Sequence, residues 1–246
     1  MSSAPPQECS VHADLLLLTF DGVVVNSKML ICQALQRVLC SFGLVIRLDD
    51  VVRRFLWEGS ARACAFVESQ TGRSAALLPT RLQHEIFASF CDGLHAVHGA
   101  EKFFRIDCTV PFHIVSTSSR ARVAHALQLT GLEEVLAGNV SAADELPHGM
   151  TTTQALLHVA NVRHTLPGAC LVVTDSPAAA RAGRRAGMQV TGFAGGSHMT
   201  EQRIAELREA SPTWIASDYE GLTSLLKRPA ETIGVAEHLA FTHTET

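Results

Sequence analysis

The 246-residue chain has no excess of one charge. Its 20 lysines and arginines stand against 24 aspartates and glutamates, dispersed along the chain, for a formal charge of -4. No basic stripe exists to follow a phosphate backbone, so nucleic acid is not an expected partner. A long apolar run is also lacking, since none approaches the roughly 18 to 20 residues that a membrane span needs. The opening MSSAPPQECSVHAD carries neither a cationic start nor the apolar stretch of a secretory leader, so a soluble, cytoplasmic chain with no membrane partner is expected. The seven cysteines are odd in number and never form a C-x-x-C pair, which argues against both a disulfide framework and a zinc site. Most are expected to be small buried hydrophobes. The twelve histidines are scattered, and the closest pair, His95 and His98, has no partner at a metal-ligand spacing. Surface or loop positions are expected for them. Repeats are absent, and only the polar tail AFTHTET is expected to fray.

What is present is enough apolar content, 47%, for a sizeable core. Short apolar runs occur at DLLLLTF, FHIVST, CLVVTD and MQVTGF, each continuous rather than alternating, as in parallel strands buried on both faces. Between the last three lie helical patterns: SRARVAHALQLTG, stopped by Gly131; TTTQALLHVANV; and SPAAARAGRRAG, closed by Gly187. Strand alternating with helix predicts an α/β fold with a doubly wound parallel, Rossmann-like sheet. From about Ser27 to His98 the rhythm changes to amphipathic helices alone: SKMLICQALQRVLCSFG, LDDVVRRFLWEG, ARACAFVESQTG and PTRLQHEIFASFCDG, the last with Thr80 as its N-cap. This block is expected to form an inserted all-helical cap over 27–96. The α/β core would then comprise 13–26 and 97–227, with an N-terminal extension over 1–12 and a tail over 228–246. The crossings between cap and core fall near 24–28 and 95–100.

Open α/β sheets bind ligands at the carboxyl ends of their strands. Those ends here read TFDG (19–22), STSS (116–119) and TDS (174–176), rich in hydroxyls and in the backbone donors that suit a phosphate or another anion. Each alone is as easily a turn or a helix cap. Three at one sheet edge point to a site.

These stretches together resemble the haloacid dehalogenase-like superfamily, in its phosphatase and β-phosphoglucomutase branch with a helical cap. The resemblance spans roughly residues 13 to 226 and rests on LTFDGVVVNSK, IVSTSSRARVAHALQLTGL, ELPHG and CLVVTDSPAAARAGRRAGMQVTGF. It implies a first motif, D-x-D-G-x-x-x-D-S. There the first aspartate attacks phosphorus and the second acts as acid and base. Asp21, Gly22 and Ser27 match, but Thr19 stands at the nucleophile and Asn26 at the later aspartate. It further implies a phosphate cradle at Ser116, Thr117 and Ser118, with Gly22 beside it. A lysine is implied before a proline, where Leu146 precedes Pro147. An acidic pair for magnesium is implied at Thr174 and Asp175, of which only Asp175 keeps a carboxylate.

Each departure removes charge. A threonine hydroxyl is a far weaker nucleophile than a carboxylate, and its phosphoester lacks the reactivity of an acyl phosphate. Magnesium favours carboxylate oxygens, so no cofactor is expected, and Mg2+ only if activity persists. Arg120, beside the cradle, is a candidate to supply part of the missing lysine's charge. The expected function is a non-catalytic protein of this fold that keeps a pocket for a small phosphorylated metabolite or anion, or a regulatory role. Asp21 would repel that anion unless protonated. The alternative is a divergent phosphatase acting on a small phosphorylated metabolite such as a sugar phosphate, with Asp21 as residual acid and base. Dehalogenation, which also needs the first aspartate, ranks third. Trp57 and Glu58 sit where relatives carry a specificity loop, although Trp57 is expected inside the cap. FAGGSH (193–198) resembles a loop near the site, its two glycines equally explained by a turn.

Overall fold

The computed structural model describes residues 13–227. The expected extension over 1–12 and the tail over 228–246 lie outside the described residues. Six strands, β1 (Leu15–Thr19), β2 (Phe112–Val115), β3 (Val140–Ser141), β4 (Cys170–Thr174), β5 (Gln189–Phe193) and β6 (Trp214–Ala216), form one sheet in the order β3-β2-β1-β4-β5-β6. Every pairing is parallel. The four leucines of β1 explain its central place. Leu16 and Leu18 face a core shared with Val123, Leu127 and Leu222, while Leu15 and Leu17 face the opposite layer with Leu156, Val159 and Ala180. All four are essentially inaccessible, as a strand covered on both sides demands. β3 and β6, two and three residues long, have no counterpart among the apolar runs read from the sequence.

After β1 come four helices: α1 (Lys28–Ser41), α2 (Leu48–Phe55), α3 (Ser60–Thr71) and α4 (Leu78–Gly93). α4 begins before the expected cap residue. Thr80 lies inside it, because Pro79, which has no N–H to satisfy, fits the first turn. α5 (Ala100–Lys102) runs into a π-helical turn, Phe103–Asp107. α6 (Arg120–Thr130) is capped by Ser119, α8 (Thr152–Val162) by a Thr151–Gln154 capping box, and α9 (Pro177–Arg185) by Ser176. α7 (Glu133–Leu136), α10 (Glu201–Glu209) and α11 (Tyr219–Leu226) complete the described chain.

The chain leaves and re-enters the sheet layer side by side. The Asn26 N–H donates to the His95 carbonyl at 2.9 Å and the Val97 N–H to the Val24 carbonyl at 2.9 Å, an antiparallel bridge between Val25 and Ala96. Asn26 does more there than an aspartate would. Its Nδ2 donates to the Ala96 carbonyl at 3.4 Å while its Oδ1 accepts from the Ser197 N–H at 2.8 Å, a donor and an acceptor in one side chain. The single tyrosine, Tyr219, donates to the Val23 carbonyl at 2.8 Å and packs on Phe103, Phe104 and Phe193, fixing the turn after β1 from beneath.

Two expectations from composition need correction. Among the described cysteines only Cys32 and Cys170 are buried, whereas Cys40 and Cys91 are exposed near the ends of α1 and α4. Burial pushes the Cys32, Cys108 and Cys170 thiols up to about 11, so these stay protonated and unreactive. Nor are the histidines all peripheral, since His113 and His198 are buried.

His113 sits on β2 with Nε2 2.9 Å from Ser141 Oγ and Nδ1 without a partner. Burial first, then Arg163, holds its imidazole down to about 4, against a smaller opposing pull from Glu145. The fold therefore prefers neutral His113. Its contribution is complete above 6.5, the unperturbed value, and is lost as pH falls from there through about 4. Urea unfolding across this window should show stability falling by up to ~1.4 kcal/mol per pH unit from this group, and His113→Leu should flatten that part of the decline.

Candidate functional site

The carboxyl ends of β1, β2 and β4 open into a cleft of about 330 Å³ lined by Thr19, Asp21, Ser116, Thr117 and Asp175, with Lys28, Trp57 and Leu146. A second volume of about 530 Å³ continues between the sheet edge and α2 and α4, sharing Asp21, Lys28, Trp57 and Thr117 with the first. The three strand-end clusters thus meet. Gly22 lines neither volume, and its N–H donates to the Val25 carbonyl at 2.8 Å, closing the turn.

At the centre, Thr19 Oγ1 donates to Thr174 Oγ1 at 3.2 Å, and Thr174 Oγ1 also accepts the Ser176 N–H at 3.1 Å. The adjacent ends of β1 and β4 are joined there by neutral hydroxyls. Asp21, by contrast, is surrounded by donors. Ser27 Oγ donates to its Oδ1 at 2.5 Å, Ser118 Oγ to its Oδ2 at 2.8 Å, and Arg122 Nη2 lies 3.7 Å from Oδ2 while also donating to Ser118 Oγ. Burial works to raise the Asp21 pKa. The charges of Arg122 and Lys28, with the Ser27 and Ser118 hydrogen bonds, outweigh it and hold the carboxyl below its ordinary value. Asp21 is therefore ionised, which removes the expected route of protonation and puts Arg122 in its place as the group that offsets repulsion.

Ser116 is buried, its hydroxyl accepting the Ser118 N–H at 3.0 Å, so it shapes the turn, while Thr117 is exposed to the cleft. Asp175 is 1% exposed. His198 Nε2 approaches its Oδ2 to 2.9 Å, and Lys28 Nζ stands 4.0 Å from the same oxygen. Two facing lone pairs would repel at 2.9 Å, which assigns a proton to Nε2. The contact is nevertheless not aligned as a hydrogen bond.

Three groups that build this site carry no motif in the sequence: Arg122, Lys28 and His198. FAGGSH held the only local signal for the last. Arg120, the candidate for the missing lysine's charge, is turned away, its Nε 2.8 Å from Glu145 and its N–H on Asp144 at 2.8 Å. Trp57, expected inside the cap, reaches the cleft, its ring 4.7 Å from Lys28 Nζ and 5.5 Å from the His198 ring.

A magnesium ion demands near-octahedral oxygen ligands at about 2.0–2.1 Å, and the residues here do not fit it. Thr19 and Thr174 are bonded to each other, and Asp175 faces Lys28 and His198. No group of three or more histidine, cysteine, aspartate or glutamate side chains is placed to hold a metal among the described residues.

No family model matches the chain. A 6-phosphogluconate phosphatase of Escherichia coli K12 is 22% identical over 182 residues, 72% of this chain and 81% of that protein. A bifunctional riboflavin kinase/FMN phosphatase of Arabidopsis thaliana is 25% identical over 71% of this chain and 47% of its own length. Among solved structures, a conserved haloacid dehalogenase-like protein of unknown function from Agrobacterium tumefaciens aligns with a TM-score of 0.76 at 26% identity, covering 87% of this chain and 97% of that one. A HAD family hydrolase from Deinococcus radiodurans, solved with bound phosphate and sodium, gives 0.68 at 24% identity over 88% and 99%. The six-stranded parallel sheet, its flanking helices and these neighbours define a Rossmann-like α/β protein of the hydrolase-fold type. The chain has a haloacid dehalogenase-like hydrolase fold, and the curated proteins it resembles are phosphatases.

The φ of Gly22 is +87°, and a Cβ there would meet Asp175 Oδ2 at 2.0 Å and His198 Cε1 at 2.8 Å. Gly43 has a similar φ of +84° with nothing within 4 Å. Gly43→Ala should therefore cost only the backbone strain of about 1 kcal/mol, while Gly22→Ala should cost more than about 3 kcal/mol, both read from urea unfolding at neutral pH.

Proposed function

We propose that this protein has lost the phosphoryl transfer of its fold and keeps the cleft as a binding site for a small phosphorylated metabolite or similar organic anion. The Thr19–Thr174 hydroxyl pair carries the reading. At the position of a nucleophile and a metal ligand it offers two hydroxyls, with no adjacent base to activate either. The state of Asp21 supports the same conclusion in its general-acid role, because an ionised carboxylate has no proton to lend a leaving group, and both of its oxygens already accept hydrogen bonds. The relatives named for 6-phosphogluconate and FMN support a phosphorylated ligand of that size class. Thr117, Ser118 and the cations beside the two carboxylates are the groups that would meet its phosphate.

Purified protein with magnesium should release no phosphate above blank from a panel that includes 6-phosphogluconate and FMN. Turnover that survives metal removal and disappears in Asp21→Asn would establish the divergent phosphatase instead. A stability experiment tests the site assignment separately. Thr19→Asp with Thr174→Asp places two more carboxylates beside Asp175, and should cost at least about 3 kcal/mol in chelator, with a large part recovered in millimolar magnesium. A double variant that is indifferent to magnesium would remove the assignment of positions 19 and 174.

A further inference from the structure

Asp175 is buried to 1% exposure, and a carboxylate taken so far from water is tolerated only beside compensating charge. In a metal-dependent site that charge is a divalent ion. Here two side chains remote in sequence converge on the same oxygen, Lys28 Nζ at 4.0 Å and His198 Nε2 at 2.9 Å. Oδ2 has no aligned hydrogen-bond donor, and the fixed charge that faces it is the Lys28 ammonium. The arrangement is built from both layers. Trp57 lies 4.7 Å from the Lys28 ammonium and edge-on to His198, seating the cation through its ring face. Gly196 allows the imidazole to close, since a Cβ there would lie 2.6 Å from both the Gly22 carbonyl and His198 Cε1. Arg203 donates to the His198 carbonyl from below.

Of the two groups on Asp175, only Lys28 lines the cleft, and it lines both of its volumes. It also acts on Asp21, together with Arg122. One buried and one partly buried carboxylate therefore face two cations, Lys28 and Arg122, and the site is balanced with no metal.

We infer that Lys28, seated by Trp57 and His198, is a built-in cation in place of a divalent metal, through which the cleft binds the phosphate or other oxyanion of its ligand without metal. This rests on the reading of the cleft as a pocket for a phosphorylated ligand. An ammonium supplies charge and up to three hydrogen bonds to an oxyanion but no direct coordination of oxygens as a divalent ion does. Binding thus persists where metal-dependent chemistry does not.

The test uses the full chain and inorganic phosphate as probe, followed by calorimetry in chelator and in millimolar magnesium. Affinities should agree within about twofold between the two conditions. Lys28→Met should weaken binding by at least about tenfold in both, and Lys28→Arg should retain most of it. Thermal unfolding provides a second readout. Wild type should be unmoved by magnesium, whereas Lys28→Met, with Asp175 left short of charge, should melt several degrees lower and recover part of the loss when magnesium is added. Arg120→Met, which removes a cation outside the cleft, should change neither measurement. Phosphate binding that requires magnesium, or that Lys28→Met leaves intact, overturns the inference and leaves the loss of phosphoryl transfer standing. Absence of binding in every condition overturns the inference and the ligand pocket together. Phosphate release from the ester panel overturns the loss of catalysis alone.

Discussion

Two carboxylates at the carboxyl edge of a parallel sheet, Asp175 buried and Asp21 partly buried, are the constraint around which this protein is arranged. Asp21 and Asp175 come from the turn after β1 and the end of β4, strands that pair directly, so their charges are forced into proximity by the sheet register. Taking even one carboxylate out of water costs several kcal/mol unless charge or hydrogen bonds replace the lost hydration. The fold answers at each carboxylate: Ser27, Ser118 and Arg122 gather on Asp21, while Lys28 and His198 gather on Asp175. Where two more charges would be expected, Thr19 and Thr174 satisfy each other as neutral groups. The hydroxyl pair and the internal cations belong together, because additional carboxylates would exceed the compensation that side chains alone supply.

The same constraint accounts for features that look unrelated. Gly22 is required because the Asp175 carboxylate rests where its Cβ would be. The loop after β5 is held against the turn by Asn26, whose Oδ1 accepts the Ser197 N–H, and this brings His198 onto Asp175. An aspartate at 26 would still accept that N–H, but it would add a third carboxylate nearby and lose the donor that reaches Ala96. The neutral amide at 26 is thus of one piece with the neutral hydroxyls at 19 and 174.

The architecture was legible because buried parallel strands and amphipathic helices write continuous and 3.6-residue patterns into the sequence. β3 and β6 were not, since two or three residues at a sheet edge carry no period. The position of the strand-end clusters was legible for the same reason as the fold, as it follows from chain order and topology. What compensates them was not. Lys28 opens a helix directly after a turn and reads locally as a solvated cation, and Arg122 reads as one of the two arginines on α6. The nearer arginine, Arg120, attracted attention because it adjoins the cradle, yet the first turn of α6 points it toward Glu145 and leaves Arg122 over Asp21. Charge compensation is a property of three-dimensional neighbours, and a single sequence records it only where it happens to be local.

A neutralising charge that comes from a side chain also bears on what the helical block can do. A bound ion would neutralise Asp175 wherever α1 and α2 happened to lie. Lys28 is the first residue of α1 and Trp57 follows α2, so here the neutralising charge and its aromatic seat arrive with the helices, while Asp175 and His198 belong to the sheet layer. The cohesion of the two layers and the neutrality of the site become one interaction. Moving α1 away would leave a nearly inaccessible carboxylate with a single partner, and the cost of that separation holds the helices over the cleft. The charge that faces the cleft is thus also the charge that ties the helices to the sheet layer.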